Sequence, residues 1–249
     1  MSRSWGYLAG VIFILMVFGD SIGNLYVAIG IAGAGITFAL QEVITSIAGW
    51  VAVSFGHFFR TGDRIQFGAT RGDVIDIGIF RTTLMECGDW VKADLYNGRI
   101  VRVANNFVFK EPVFNYSADF PFLWDEITVP VTFGSDRDTI RKILLQVAQE
   151  VVGDYVTYAE NAWPEIVRKY KIEDSQITPM VTMVFNDNWM EYTVRYVVDY
   201  RERTATKHKI SMGILEEFDK VGGQVAIAST STDIHLIKTP PFELKYTKG

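Results

Sequence analysis

The sequence is short of cysteine, histidine and positive charge, and each shortage excludes a class of protein. Its one cysteine, Cys87, cannot form an internal disulfide, which excludes a small secreted domain held together by disulfides. Its three histidines, His57, His208 and His235, lie far apart and lack the spacing of a zinc or iron site. We therefore expect no bound metal and no other cofactor. The formal net charge of -5 argues against general nucleic-acid binding.

Charged residues are also nearly missing from the first quarter of the chain. No lysine or arginine occurs between Arg3 and Arg60, and the only acidic residues in that interval are Asp20 and Glu42. Beyond Arg60 the sequence has the ordinary charge content of a soluble protein. The two parts are therefore suited to two different solvents, lipid and water.

Two apolar runs occupy this poorly charged region. The first extends from Trp5 to Phe18, a turn-forming segment covers Gly19 to Asn24, and the second run extends from Leu25 to Leu40. A helix needs roughly 20 apolar residues to cross a bilayer, and each run reaches that length only with its neutral flanks. The pair predicts two membrane helices joined by a tight turn. Arginines at both ends of the pair, Arg3 and Arg60, favour a cytoplasmic location for both ends.

The apolar runs also allow three other interpretations. The first run resembles the core of a signal peptide, and both runs resemble core helices of a soluble protein. Gly33-Ala34-Gly35 imitates the start of a dinucleotide-binding loop. Phe38 replaces the third glycine of that motif, however, and no acidic residue follows about 20 positions later to hold a ribose.

Small residues crowd the second apolar run, although glycine costs a helix roughly 0.8–1.0 kcal/mol relative to alanine in water. In lipid, small residues allow neighbouring helices to approach closely. The predicted helix-packing residues are Gly30, Ala32, Gly35 and Ala39, and one small face continues through Ser46 and Gly49. A second small face begins at Gly30 and Ala34, and two faces suit a ring in which each copy contacts two neighbours. A helix packed inside a transporter or a simple dimer is the alternative.

A stripe at helical spacing lies between the two small faces and is predicted to point into a central hole. The predicted pore-lining residues are Ile31, Ala34, Phe38, Gln41 and Thr45. Glu42 either continues this stripe or points sideways into the interface. From Ile44 to Phe58 apolar residues recur every three or four positions, which predicts an amphipathic helix at the cytoplasmic interface.

The remaining chain predicts two soluble domains. Short β-branched segments separated by turn signals cover residues 61–119, with Asn97-Gly98 as a hairpin turn, and indicate an all-β small barrel (Sm-like). Residues 120–249 read as strand, helix, two strands, helix and strand, the order of an α+β ferredoxin-like domain. Its helices are predicted at Asp136–Val151, at Asn161–Tyr170 and at Thr206–Val221, and Gln224–Ile237 is predicted to be mostly extended.

The predicted domain plan therefore has four parts. Residues 1–24 form a membrane helix and turn, and residues 25–60 form the pore-lining helix and the interfacial helix. Residues 61–119 form the small β-barrel, and residues 120–249 form the α/β domain, which we expect to be cytoplasmic. No set of Ser/His/Asp, Cys/His or paired carboxylates stands at diagnostic spacing, so the chain is not expected to be an enzyme.

Several short motifs in this order resemble the small-conductance mechanosensitive (MscS-type) channel family. The motifs are Ala39-Leu40-Gln41 with Ile47-Ala48-Gly49, Phe59–Ile65, Gly72-Asp73-Val74, Ile79–Thr83, Asn97-Gly98-Arg99, Ala104-Asn105-Asn106 and Val113–Ser117. Each motif is weak alone, but their order and spacing are specific. The resemblance is strong through residue 117 and looser afterwards.

The resemblance implies a homoheptameric, multi-pass channel of the cell (inner) membrane, with a cytoplasmic vestibule. Membrane tension would open it, and ions and small osmolytes would leave the cell on hypo-osmotic shock. By alignment on Ala39-Leu40-Gln41, the pore-constriction positions are Ala34 and Phe38, and Phe38 is expected to form the main seal. A non-conducting signalling or scaffold protein that uses the same fold is the alternative function.

The sequence departs from the family pattern at several points. A glycine that bends the helix often follows the glutamine of the pore motif, whereas Glu42 stands here. The hinge candidates are accordingly Glu42 itself and Gly49. The family normally has at least three membrane helices and two fit here, so we expect either a reduced member or a fragment without upstream helices.

Overall fold

The computed structural model describes residues 26–91 and 93–230, together with Phe13. The rest of the first predicted membrane helix, and the predicted extended segment beyond residue 230, lie outside the described residues. The chain divides into two compact units, residues 1–119 and residues 120–249.

Two consecutive helices begin the first unit. Helix α1 covers Tyr26–Ala39 and helix α2 covers Gln41–Gly56, and the two are bent by 58° at Leu40. The second helix ends at Gly56, where His57 caps it in the left-handed conformation with a φ of 55°. Within the described residues no single helix is both long and apolar enough to span a bilayer, and only this bent pair meets the criterion, by length and composition.

Five antiparallel strands follow in the first unit, and together with a short 3-10 helix they are called the β-domain here. The strands are β1 (Arg64–Phe67), β2 (Thr70–Ile77), β3 (Arg81–Cys87), β4 (Tyr96–Ala104) and β5 (Val113–Asn115). They are ordered β4-β3-β2-β1-β5, and the 3-10 helix covers Asn105–Phe109. Alternating apolar residues place Ile65, Phe67 and Leu84 in the core, which also receives Val53 from α2.

The Asn97-Gly98 hairpin prediction is wrong. Both residues lie within β4, where the strand register shifts between the Met85–Ile100 and Cys87–Tyr96 pairs. Gly98 has a φ of +81°, so the dipeptide forms an irregularity inside the strand. Glycine tolerates this positive φ, which is why the dipeptide resembles a turn in the sequence.

The second unit has the β-α-β-β-α order that the sequence predicts for a ferredoxin-like domain. Its elements are β6 (Leu123–Val131), α3 (Arg137–Tyr170), β7 (Met180–Phe185), β8 (Met190–Val198) and α4 (Arg203–Lys220). The strands form one antiparallel sheet in the order β6-β8-β7. Beyond α4, Ile227 makes a single antiparallel bridge to Val131, at the outer edge of β6.

One helix replaces the two that were predicted before β7. Helix α3 is continuous over 34 residues and contains Pro164. Its buried residues keep helical spacing through the predicted gap, at Val152, Val156 and Ala159, so core packing holds the helix together there. Pro164 is exposed, and the backbone carbonyl that it leaves unbonded therefore has access to water.

Candidate pore segment and its contact with the β-domain

The residues predicted to line or pack a pore lie on α1 and the start of α2, and nearly all are exposed in the single chain. Phe38 is 80% exposed, and Ile31, Ala34 and Gln41 are also exposed, while Thr45 is half-buried. A side chain added at Gly30 or Gly35 would meet no atom within 4 Å. Ala32 and Ala39 are equally open. The pore-lining and helix-packing roles remain predictions.

The small face predicted to continue from α1 into α2 is interrupted by the bend at Leu40. Ser46 and Gly49, which were placed on this face, are buried within their own chain. A repeat of three and four residues stays on one side only in a straight helix. The bend precedes both hinge candidates, Glu42 and Gly49, which lie inside α2. Their hinge roles remain predictions.

Gly49 is the point of closest approach between α2 and the β-domain. A Cβ atom there would lie 2.9 Å from the backbone nitrogen of Asn106 and still closer to the backbone carbonyl of Asn105. Glycine is therefore required because the two backbones touch. Ser46, one turn earlier, is buried on the same side and donates a hydrogen bond to the Glu42 carbonyl at 2.8 Å.

Glu42 also faces the 3-10 helix. Its carboxylate accepts a hydrogen bond from the Asn106 side-chain amide and forms an ion pair with Lys110, with Nζ–Oε1 at 3.0 Å. The carboxylate thus points sideways toward the β-domain, one of the two orientations considered from the sequence. Lys110 was not singled out from the sequence, because nothing in the local pattern indicates a partner 68 residues away.

Asn105 connects this contact to the β-domain. Its side chain donates to the backbone carbonyls of Gly78, at 2.7 Å, and Ile79, at 2.9 Å, and accepts from the Thr82 hydroxyl. The residue is 2% exposed. The Ile79–Thr83 and Ala104-Asn105-Asn106 motifs therefore form one hydrogen-bonded unit, on which α2 packs through Gly49.

A second polar cluster fixes the passage from α2 into β1. Asp63 accepts hydrogen bonds from the backbone N–H of Arg60 at 2.9 Å, the Asn115 amide at 3.1 Å and the Ser117 hydroxyl at 3.2 Å. Asn115 also donates to the Phe58 carbonyl at 3.2 Å. These bonds hold the end of the α2 segment to the last strand of the β-domain.

A buried ion pair lies inside the β-domain behind this cluster. The Arg64 guanidinium donates to both Asp73 carboxylate oxygens, at 2.6 and 3.1 Å, and the Tyr96 hydroxyl donates to the same carboxylate. Burial is the largest single influence on the pKa of Arg64 and would lower it, but the hydrogen bond to Asp73 and the electrostatic interactions with Cys87, Asp73 and Tyr96 together outweigh burial, and the pKa is raised. Arg64 therefore stays charged. Burial raises the pKa of the adjacent Cys87 thiol, which keeps the thiol protonated.

The polar side chains of this region bond to one another within the first unit. In the part of the chain that the structure describes, no three His, Cys, Asp or Glu side chains are grouped so that they could hold a metal ion. Arg64, Cys87 and Tyr96, whose pKa values are raised, lie in or beside the Arg64–Asp73 pair. The chemistry available is hydrogen bonding that ties a helix to a domain.

Comparison with known proteins agrees with this arrangement. A family described as "Mechanosensitive ion channel, beta-domain" matches residues 42–118. An uncharacterised MscS family protein from Buchnera aphidicola is 31% identical over 121 residues, which cover 49% of this chain and 39% of that protein. The large-conductance mechanosensitive channel MscMJLR from Methanocaldococcus jannaschii is 24% identical over 221 residues, which cover 88% of this chain and 55% of that channel.

Solved structures show the same fold. The closed-state crystal structure of Helicobacter pylori MscS matches with a TM-score of 0.65 and 19% identity, covering 94% of this chain and 85% of that one. Arabidopsis thaliana MSL1 matches with a TM-score of 0.57, 17% identity and coverage of 92% and 74%. The chain spans about two fifths to a little over half of the length of the two curated relatives. The resemblance found in the sequence is confirmed: residues 42–118 match the β-domain of mechanosensitive ion channels, and most of the chain has the fold of solved MscS-type structures.

Proposed function

We propose that this chain is one subunit of a homo-oligomeric ring, a heptamer as in the family it resembles, whose α1 helices surround a pore opened by membrane tension. Opening releases ions and small osmolytes on hypo-osmotic shock. The ring lies in the cell (inner) membrane, and the second unit, residues 120–249, is cytoplasmic. The observation that carries the proposal is that every residue of the apolar helix α1 is exposed in the single chain, whereas α2 packs against the β-domain.

Tension acts on such a ring through membrane area. The state of larger area gains free energy in proportion to the tension, so tension behaves as a ligand that binds the expanded state better. A narrow ring of Phe38 side chains excludes ions by removing water from the constriction. Small residues at Gly35 and Ala39 allow neighbouring α1 helices to slide as they tilt.

Phe38→Ser is expected to lower the tension at which the channel opens or to make it leak at rest. The hydroxyl keeps water in the constriction that the phenylalanine ring excludes. Patch recordings from the full chain in liposomes measure both the threshold and the resting current. Phe55→Ser is the matched control, because Phe55 is 75% exposed and lies outside the predicted pore stripe.

An unchanged threshold and resting current in Phe38→Ser would reject Phe38 as the seal. If the unsubstituted chain itself passes no current under tension, the non-conducting signalling or scaffold function becomes the better assignment. The two results are distinct, because the second concerns the parent protein.

Glu42→Gln is expected to leave ion preference unchanged. The Glu42 carboxylate is engaged by Asn106 and Lys110, and the positive charge of Lys110 offsets its negative charge. The reversal potential of single channels in a salt gradient measures this preference directly. A shift of the reversal potential toward that of anions would show that Glu42 contributes a negative charge to the conduction path.

A further inference from the structure

The outer edge of β7 in the second unit carries an exposed apolar surface. Among the described residues β7 pairs only with β8, so its other edge has no strand beside it. Met183, Val184 and Phe185 are all exposed, and Phe185 is 75% exposed. Native proteins normally protect such edges with charges, bulges or a covering element. An unprotected apolar edge therefore indicates a surface that another element covers.

A groove of about 220 Å³ runs beside this edge. It is lined by Phe133, Arg137, Met183, Phe185 and Met190, and these residues are called the edge groove here. Arg137 makes no ion pair with any residue that the structure describes, and Arg141 is exposed one turn further along α3. Tyr192 on β8 is paired with Met183 on β7, and its hydroxyl is buried without a hydrogen-bond partner among the described residues.

Helix α4 has an exposed face of the complementary kind. Ile210, Ile214 and Phe218 fix its buried side. The opposite side exposes two apolar residues and two acidic residues at spacings of three, four and seven, and these residues are called the α4 face here. Its members are Met212, Leu215, Glu216 and Asp219. The edge groove is apolar and has the positive charge of Arg137 in its lining, and the α4 face is apolar and carries two carboxylates, so the two surfaces have complementary charge.

The two surfaces lie on different flanks of the unit. Helix α3 packs on β7 and β8, whereas α4 packs on α3 and β6, the strand at the opposite edge of the sheet. A closed ring of more than two copies needs two different surfaces on each copy, so that one copy's first surface meets the next copy's second. Surfaces on opposite flanks satisfy that requirement.

We propose that the edge groove of one copy receives the α4 face of the next copy around the ring, with Arg137 facing Glu216. This inference rests on the proposed oligomeric function and adds to it the contact between the second units. Leu215 and Met212 enter the apolar groove against Phe133 and Phe185. The partner is a second copy of this chain.

Cross-linking of the full chain in detergent tests the contact. In a Cys87→Ala background, Phe185→Cys with Leu215→Cys in the same chain is expected to give a ladder of covalent oligomers with a short bismaleimide. Either cysteine alone should give none, and a mixture of the two single variants should stop at dimers. Both sites are exposed, so the substitutions leave the core intact.

Three results would overturn the contact. Cross-linking of Phe185→Cys alone would show that two edge grooves meet symmetrically. An absence of cross-links in a particle that light scattering shows to be oligomeric would refute only the contact, and would leave the chain's own segment 231–249 as the occupant of the groove. A monomeric particle would refute the proposed ring together with the contact.

A charge exchange provides an independent measurement. Arg137→Glu or Glu216→Arg alone is expected to weaken the oligomer at least tenfold, measured by dilution in light scattering, and the two together are expected to restore it. Arg168→Glu, on the exposed last turn of α3, is the matched control. Failure of the double variant to recover would contradict the pairing of Arg137 with Glu216.

Discussion

Gly49→Ala is expected to destabilise the first unit by about 1–3 kcal/mol, the usual cost of forcing an extra methyl group into a packed interior. Helix propensity alone would favour alanine over glycine by up to about 1 kcal/mol, so the expected sign is opposite to the local preference. The added Cβ would lie 2.9 Å from the Asn106 nitrogen and closer to the Asn105 carbonyl. These are backbone atoms, which cannot rotate away as a side chain can.

The same substitution at Gly153 provides the control. Gly153 lies inside α3, and a Cβ there meets only the end of the flexible Gln149 side chain, at 3.4 Å. Gly153→Ala is therefore expected to raise stability by up to about 1 kcal/mol, following propensity alone. Thermal unfolding of the full chain in detergent compares the two variants. A rise in melting temperature for Gly49→Ala would contradict the close contact between α2 and the 3-10 helix.

Loss of this contact is also expected to change the tension at which the channel opens. Without the contact at Gly49, α2 is held to the β-domain by Glu42 at one end and by Val53 and the Asp63 cluster at the other. The end that joins α1 becomes the weaker of the two, because its ion pair is exposed and exposed pairs contribute little. We therefore expect wider variation in opening threshold among single channels for Gly49→Ala than for Gly153→Ala.

The local elements of this fold could largely be predicted from the sequence. Period-two and period-3.6 patterns locate β6, β8 and α4 to within a few residues, because each has one buried face and one exposed face. The family resemblance rested on motifs that the structure joins by hydrogen bonds, such as Thr82 with Asn105. These motifs can be recognised in the sequence because each of their residues is suited to one backbone conformation or one kind of hydrogen bond.

Features that depend on distant packing could not be predicted. The sequence assigned Gly49 to a helix–helix contact in lipid or to a hinge. It did not indicate the contact with Asn105, because that residue is 56 positions away in the chain. The break expected within residues 152–160 of α3 is absent, because core contacts at Val156 and Ala159 outweigh the weak local signal. The bend at Leu40 has no proline or glycine to mark it, and the sequence instead indicated Glu42 and Gly49, two and nine residues later, as the hinge candidates.

Asp73→Asn is expected to destabilise the β-domain by about 3–5 kcal/mol, the cost of removing one partner from a buried ion pair. Both Arg64 and Asp73 are less than 10% exposed, so solvent screens the pair little. The asparagine amide cannot neutralise the guanidinium, and Tyr96 loses a charged acceptor. Asp76→Asn is the matched control: Asp76 is exposed on the same strand, and surface substitutions of this kind change stability by about 0.5 kcal/mol or less.

Cys87 reports the effect directly, because it is the only thiol of the chain and is 1% exposed beside this pair. A maleimide reacts with it only when the β-domain opens, so the labelling rate follows the opening equilibrium when reclosing is fast. A destabilisation of about 3–5 kcal/mol corresponds to labelling roughly 150 to several thousand times faster for Asp73→Asn, at about 1.4 kcal/mol for each factor of ten. Equal labelling rates in Asp73→Asn and Asp76→Asn would show that the Arg64–Asp73 pair does not hold the domain closed.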